Sequence, residues 1–196
     1  YNLSPNQIDY IFISHLHGDH SGGLPFFLLN LKNRESGVVT ISGPPGLKEQ
    51  ITNVYAEYFG DIDITEYFKF KSLTSDYPFS LQYIEGDHSV LDYVYKIKLD
   101  DKIIVYTGDT RPIDLSEFAQ NADYLIHEAG EIDSNRAHVS AHTTPIQAAE
   151  IAKNANVKNL ILIHRANFNQ ELIDNIQSIF PNILLPNDLD IIESTK

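Results

Sequence analysis

The chain has no cysteine among its 196 residues. That excludes a disulfide framework, a thiolate-bound zinc and a cysteine nucleophile, so any metal held here must take imidazole and carboxylate ligands. Methionine is also absent, even at position 1, and the opening residues run straight into a strand, so the chain reads as a fragment whose natural start lies upstream. Long apolar runs are missing. The richest stretch, Leu24 to Leu31, falls well short of the roughly 18 residues a spanning helix needs, and no signal peptide is apparent. The expectation is a soluble protein, with the cytoplasm as its compartment and no membrane partner. Basic residues are few: 14 Lys and Arg against 27 Asp and Glu leave a formal charge of -13. The bases are scattered, so a large polyanion would approach against the mean field, whereas a small anion can be neutralised locally. G-x-S-x-G elbows, Walker loops and G-x-G-x-x-G turns are absent as well, which leaves metal chemistry as the catalytic option.

At this length residues 1–196 are expected as one domain. Ile8 to Ser14 is apolar and β-branched and stops at a polar loop, the pattern of a strand that delivers side chains to a site. A short helix is expected over Leu24 to Leu31, a strand over Val38 to Ser42, and an amphipathic helix carrying Leu47, Ile51, Val54, Tyr55 and Tyr58 at spacings of three and four. Short alternating runs predict strands near 66–72, 80–85, 91–99 and 102–107, with a turn at Asp100-Asp101. The last third alternates: helix 114–120, strand 123–127, helix 145–155, strand 158–163, helix 169–179 and a strand near 183–185. Thr144-Pro145-Ile146-Gln147 matches a capping box with proline in the first turn. Sheets covered by helices in a layered α/β or α+β domain follow from that order.

Of eight histidines, His15, His17 and His20 fall within six positions, with Asp19 among them, directly after the first strand. Side chains two apart on an extended segment share a face, so His15 and His17 point the same way, and Gly18 lets the chain curl so that Asp19 and His20 address a second position. Two divalent ions about 3.5–4 Å apart can hold the attacking and leaving oxygens of a displacement, which is the chemical reason for such a cluster. One loop cannot complete two coordination shells. Further ligands are expected at other strand ends, where His88, Asp109 and His164 stand. Each of these alone would read as a solvated turn residue; together with the first loop they read as a metal-ligand set.

At these positions the chain resembles the metallo-β-lactamase superfamily, whose signature is H-x-H-x-D-H followed in order by a His, an Asp and a last His. The resemblance covers nearly the whole chain. It implies a metallo-β-lactamase-like four-layer αββα sandwich, N-terminally truncated, since the chain begins only 14 residues before His15. It also implies that His15, His17 and His88 bind a first metal, that Asp19, His20 and His164 bind a second, and that Asp109 bridges them. Thr107-Gly108-Asp109-Thr110-Arg111-Pro112, His127-Glu128-Ala129 and His142-Thr143-Thr144 further resemble the ribonuclease Z branch, in which Glu128 would orient His142 and His142 would contact the scissile phosphate. His127 and His138 are read as structural or exposed. That branch grips transfer RNA with a long basic arm inserted between the positions of His88 and Asp109. Here twenty residues separate the two, enough for one hairpin, so folded tRNA is not the expected partner.

The function implied is that of a dinuclear phosphodiesterase on a small or single-stranded substrate, with a hydroxide shared by the ions, Asp19 aligning it, and His142 serving the leaving oxygen. Zinc suits the ligand types best; manganese and iron are tolerated by the same set. Two rivals stand beside it. The same ions could hydrolyse a carboxylic ester, lactone or thioester, although Glu128 with His142 favours phosphate. Alternatively the domain is a non-catalytic metal-binding interaction module, forming a homodimer through an open sheet edge.

Overall fold

β-Branched and aromatic runs at 10–12, 39–42, 68–70, 80–85, 93–99, 102–106, 124–129 and 159–165 become strands, and the two sheets they build have different characters. The computed structural model describes residues 4–31, 37–60, 66–133 and 135–192. The chain divides into two compact units, Tyr1–Asp76 and Tyr77–Lys196.

The first unit carries a three-stranded parallel sheet in the order β1 (Tyr10–Phe12), β2 (Val39–Ser42), β3 (Phe68–Phe70). Its central strand is buried at every position, as a strand covered on both faces must be. Ile13 continues the extension of β1 by donating its N–H to Ser42 O at 2.9 Å. Among the described residues this unit also has a short 3-10 turn at Pro5–Gln7 and the α-helices α1 (Gly18–Ser21, a single turn), α2 (Leu24–Asn30) and α3 (Leu47–Phe59). Leu47, Ile51 and Tyr55 of α3 and Leu24 and Leu28 of α2 bury themselves with Val39 and Ile41 in one core. Full burial of a leucine such as Leu28 contributes about 1.5–3 kcal/mol.

The second unit is built on a six-stranded mixed sheet in chain order: β4 (Ser80–Glu85), β5 (Tyr93–Leu99), β6 (Lys102–Tyr106), β7 (Tyr124–Ala129), β8 (Asn159–Arg165) and β9 (Ile183–Leu184). β4, β5 and β6 pair antiparallel, and from β6 to β9 the pairs are parallel. Helices α4 (Ala137–Ser140), α5 (Pro145–Asn154) and α6 (Gln170–Ile179) complete it. Ala148, Ala149 and Ala152 of α5 are fully buried with Leu125, Leu160 and Leu162, small side chains that let the helix lie close to the sheet. Thr144 caps α5 as expected, with its side chain accepting the Gln147 N–H and Gln147 reaching back. Among the described residues no helix is long and apolar enough to cross a membrane.

One expected element is not a helix. Residues 114–120 form a run of turns: Asp114 Oδ1 takes the Ser116 N–H at 2.8 Å, Ala119 reaches Leu115 O, and the next closures span three residues. With Leu115 and Ala119 buried, packing holds a segment too short to propagate a helix. Two single helical turns, α1 and α4, were not expected from the sequence pattern.

Candidate active site

In the first unit the polar loop begins where β1 ends, and His15 is fully buried there. Its Nδ1 lies 3.1 Å from Ser14 Oγ and its Nε2 lies 3.1 Å from His17 Nδ1. The ring of His20 sits 4.1 Å from that of His15, centroid to centroid. Asp19 is largely exposed, with Oδ2 at 3.5 Å from His20 Nε2. The loop owes this convergence to α1: His17 starts the turn, and its carbonyl accepts from His20 N, Ser21 N and Ser21 Oγ. Gln50 of α3 fastens the loop from outside by donating to Leu16 O at 2.9 Å. Nitrogen atoms as close as those of His15 and His17 either share one proton or turn both lone pairs toward a common cation. The expected ligands of the first loop are therefore brought together.

The second unit gathers the other five. Asp109 follows β6 and is buried; its Oδ2 is 3.6 Å from His164 Nε2 and 3.9 Å from His142 Nδ1. His88, on the loop between β4 and β5, directs Nδ1 at Ala141 O, 2.9 Å away, so Nε2 is the nitrogen that could serve a metal ion. Ala141 holds φ 62°, and this left-handed residue presents both its own carbonyl to His88 and the next side chain, His142, to the site. The ring centroids of His88 and His142 are 5.4 Å apart and those of His142 and His164 5.3 Å. Asp109, His142 and His164 cluster at the carboxyl ends of β6, β7 and β8, where open parallel sheets characteristically place their sites.

His164 reaches this position by leaving its ladder. Glu128 pairs with Ile163 and Ala129 with Arg165, so His164 is skipped in the register and takes φ 46°. Such a bulge re-aims one side chain, and a non-glycine residue in this region stores strain of the sort found at functional sites.

Glu128 is fully buried on β7, yet it is heavily solvated by the protein. Oε1 accepts the N–H groups of Thr110 and Thr143 at 3.1 and 3.0 Å, Oε2 that of Gly130 at 2.7 Å, and His142 Nδ1 stands 3.2 Å from Oε1. Burial outweighs those donors and, with Asp109 nearby, pushes the carboxyl from 4.5 to about 7. Ligand atoms of Glu128, His142 and His164 lie within 4.8 Å of one another. The donor set of both units, all imidazole nitrogen and carboxylate oxygen, fits a divalent transition metal.

Sequence reasoning missed three residues of this site. Asp92 is completely buried and accepts the Asp109 N–H; a lone Asp ahead of a strand gives no signal for that. Gly130 is packed so tightly that a Cβ there would lie 3.0 Å from His164 Nδ1 and 3.2 Å from both Glu128 Oε2 and His142 Nδ1. Its place directly after His127-Glu128-Ala129 was the available clue. Thr143 donates its hydroxyl to Thr110 O at 2.6 Å, joining the loop after β6 to the one before α5.

Comparison with known proteins agrees with this architecture. A family model described as a beta-lactamase superfamily domain matches residues 2–165. The chain belongs to the metallo-β-lactamase superfamily, as a ribonuclease Z-like member. It is 33% identical to ribonuclease Z of Picrophilus torridus across 93% of this chain and 78% of that protein. To ribonuclease Z of Pediococcus pentosaceus it is 29% identical across 98% of this chain and 83% of the relative. Among solved structures, the short form of human tRNase Z superimposes with a TM-score of 0.79 at 24% identity, covering 98% of this chain and 81% of that one. A metallo-β-lactamase fold protein of Bacillus subtilis gives 0.76 at 22% identity, covering 93% and 75%. The Pediococcus alignment runs over 257 residues against a chain of 196, so that relative carries residues with no counterpart here.

Proposed function

We propose that the chain is a dinuclear metal-dependent phosphodiesterase acting on RNA, single-stranded or short, and that both units contribute to one catalytic domain. The observation that carries this is the pair Glu128 and His142 stationed beside Asp109 and His164: a buried carboxyl, locked by three backbone donors, holds one nitrogen of an imidazole at 3.2 Å and leaves the other for substrate. The similarity to ribonuclease Z proteins supports phosphate as the group attacked.

His15, His17 and His88 would hold one ion, Asp19, His20 and His164 the other, and Asp109 both; zinc is the ion favoured by nitrogen-rich ligands, with manganese or iron as alternatives. Bound divalent ions supply an acidified water and draw charge from the phosphoryl oxygens. The chain's own residues do the rest. Asp19, exposed at the rim of its loop, orients water toward the phosphorus. With Glu128 ionised, His142 Nδ1–H donates to Oε1 and Nε2 is presented to the scissile phosphate; once protonated, that nitrogen can donate to the departing oxygen. Thr110 and Thr143 keep Glu128 from turning away.

Fourteen of the twenty residues between His88 and Asp109 lie in the β5–β6 hairpin, Tyr93 to Tyr106, so a tRNA-gripping arm is not expected at that place. With a charge of -13, this supports a small or single-stranded RNA rather than folded tRNA.

Turnover of bis(p-nitrophenyl) phosphate and of a single-stranded oligoribonucleotide, set against carboxylic ester, lactone and thioester substrates, tests the reading. Diester turnover that rises with added zinc or manganese is expected. Ester or lactone turnover without diester turnover would sink it, and purified protein with less than one ion per chain and no metal activation would remove both enzyme readings.

A further inference from the structure

The geometry points to a nucleoside subsite in the cleft at the carboxyl end of β8, taking the ribose and base beside the scissile phosphate. This rests on the phosphodiesterase reading, since it is His164 as a metal ligand that puts the cleft next to the reacting bond. The cleft measures about 530 Å³, within the range of roughly 300–1,000 Å³ usual for small-molecule sites. His164, Arg165 and Asn167 line one side, and Pro186, Asn187 and Asp188 the other.

Its chemistry selects a neutral, hydrogen-bonding guest over a phosphate. Arg165 is the cation in the wall, but its terminal nitrogens are turned to the backbone, NH2 to the carbonyls of Leu185 and Pro186 at 3.0 and 3.1 Å and NH1 to Ala166 O, its Nε is buried away from the cleft's solvent, and the guanidinium carbon lies 5.3 Å from the Phe168 ring centre. Arg165 is thus a clasp that fixes the segment after β9 against the end of β8. Asp188 then adds negative charge to the lining, against an anionic guest. The amides of Asn167 and Asn187 each offer a donor and an acceptor, the complement of a base edge, and a carboxylate is an acceptor suited to ribose hydroxyls. Asn187 is itself held by a turn, its N–H donating to Asp190 Oδ2 at 2.8 Å and its carbonyl accepting from Asp190 N. The second wall lies beyond residue 165, where the match to the superfamily model ends. A wall beyond the superfamily's common frame, in a segment that the ribonuclease Z alignment still spans, is a place to set substrate choice rather than chemistry.

Two measurements test the subsite. First, adenosine and 2′-deoxyadenosine are titrated into the metal-free protein while the side-chain amide resonances of Asn167 and Asn187 are followed by NMR. Adenosine should shift both, and loss of the 2′-hydroxyl should weaken binding about tenfold, the worth of one good hydrogen bond. Second, kcat/KM for adenylyl-(3′→5′)-adenosine is divided by kcat/KM for bis(p-nitrophenyl) phosphate, which has no nucleoside. In Asn167→Ala and in the double variant Asn187→Ala/Asp188→Ala that ratio should fall about tenfold or more. Unmoved resonances, or an unchanged ratio in both variants, overturns the subsite. Adenosine binding at these amides with neither diester cleaved leaves the cleft assignment standing and removes the phosphodiesterase reading instead.

Discussion

Asp92 Oδ1 accepts the backbone N–H of Asp109 at 3.3 Å, joining the residue ahead of β5 to the loop that leaves β6. Asp92 is fully buried, and Gly86, whose own N–H donates to Asp92 O at 3.0 Å, makes room for it: a Cβ at 86 would come within 2.7 Å of Asp92 Oδ2. The carboxylate proposed to be shared by both ions is therefore held through its backbone by a second carboxylate. Groups that orient metal ligands in this way are worth about 10–100-fold in metal affinity. Asp92→Ala should lose that much, and Asp92→Asn, which keeps an accepting oxygen, should recover most of it. Competition with a chelating dye reads the affinity directly; an Asp92→Ala protein that binds metal like the parent would contradict the role.

Gly130 is required by space. The added methyl of Gly130→Ala meets two imidazoles and a carboxylate at 3.0–3.2 Å, and there is little slack, because Glu128 is pinned by three backbone donors, His142 is held by Glu128 and His164 by its bulge. Overpacking of this kind costs about 1–3 kcal/mol. The variant should fold with a lowered urea midpoint, and its kcat should fall more than its KM rises, because what moves is the imidazoles of His142 and His164 rather than the Asn167, Asn187 and Asp188 side chains of the cleft. A variant with parental kcat would show that the three side chains can relax.

Much of this was legible beforehand for a local reason. His15, His88, Asp109 and His164 stand at places where an apolar run stops, and the Thr144 capping box fixes its helix within four residues of sequence. What escaped depends on contacts between distant segments. The register shift that expels His164 exists only in the pairing of β7 with β8, and Asp92 matters only because the β5–β6 hairpin returns Asp109 to it. The turns at 114–120 carry helix-like composition, and burial of Leu115 and Ala119, not propensity, decides their shape.

Metal removal should destabilise the fold. His15 Nε2 and His17 Nδ1 stand 3.1 Å apart and Asp109 Oδ2 stands 3.6 Å from His164 Nε2, so the folded chain gathers donors for a cation that the unfolded chain disperses. An ion that binds the native state and is present at 100 times its Kd adds about 2.7 kcal/mol. Calorimetry with and without a chelator should show a lower Tm in the chelated sample, and His17→Ala should reduce the difference. Equal Tm values with and without chelator would argue against a resident ion.

His127 and Glu128 are adjacent on β7, point to opposite faces of its sheet, and titrate with opposite consequences. Burial lowers His127 from 6.5 to about 4, and its Nδ1 is engaged with Glu128 O at 2.7 Å. Burial raises Glu128 from 4.5 to about 7. Between about pH 5 and 6.5 the unfolded chain carries a proton on His127 that the native protein refuses, so this histidine makes stability rise with pH. Over the same window the native protein keeps a proton on Glu128 that the unfolded chain has lost, so this glutamate makes stability fall with pH, at a similar slope near 1.4 kcal/mol per unit. In metal-free protein the two contributions should nearly cancel. Glu128→Gln should expose the histidine, giving a urea midpoint that drops as the pH falls from about 6.5 to 5, and His127→Leu should expose the glutamate, giving one that climbs. Midpoints that move in the same direction in both variants would mean that at least one of these groups does not titrate as its burial requires.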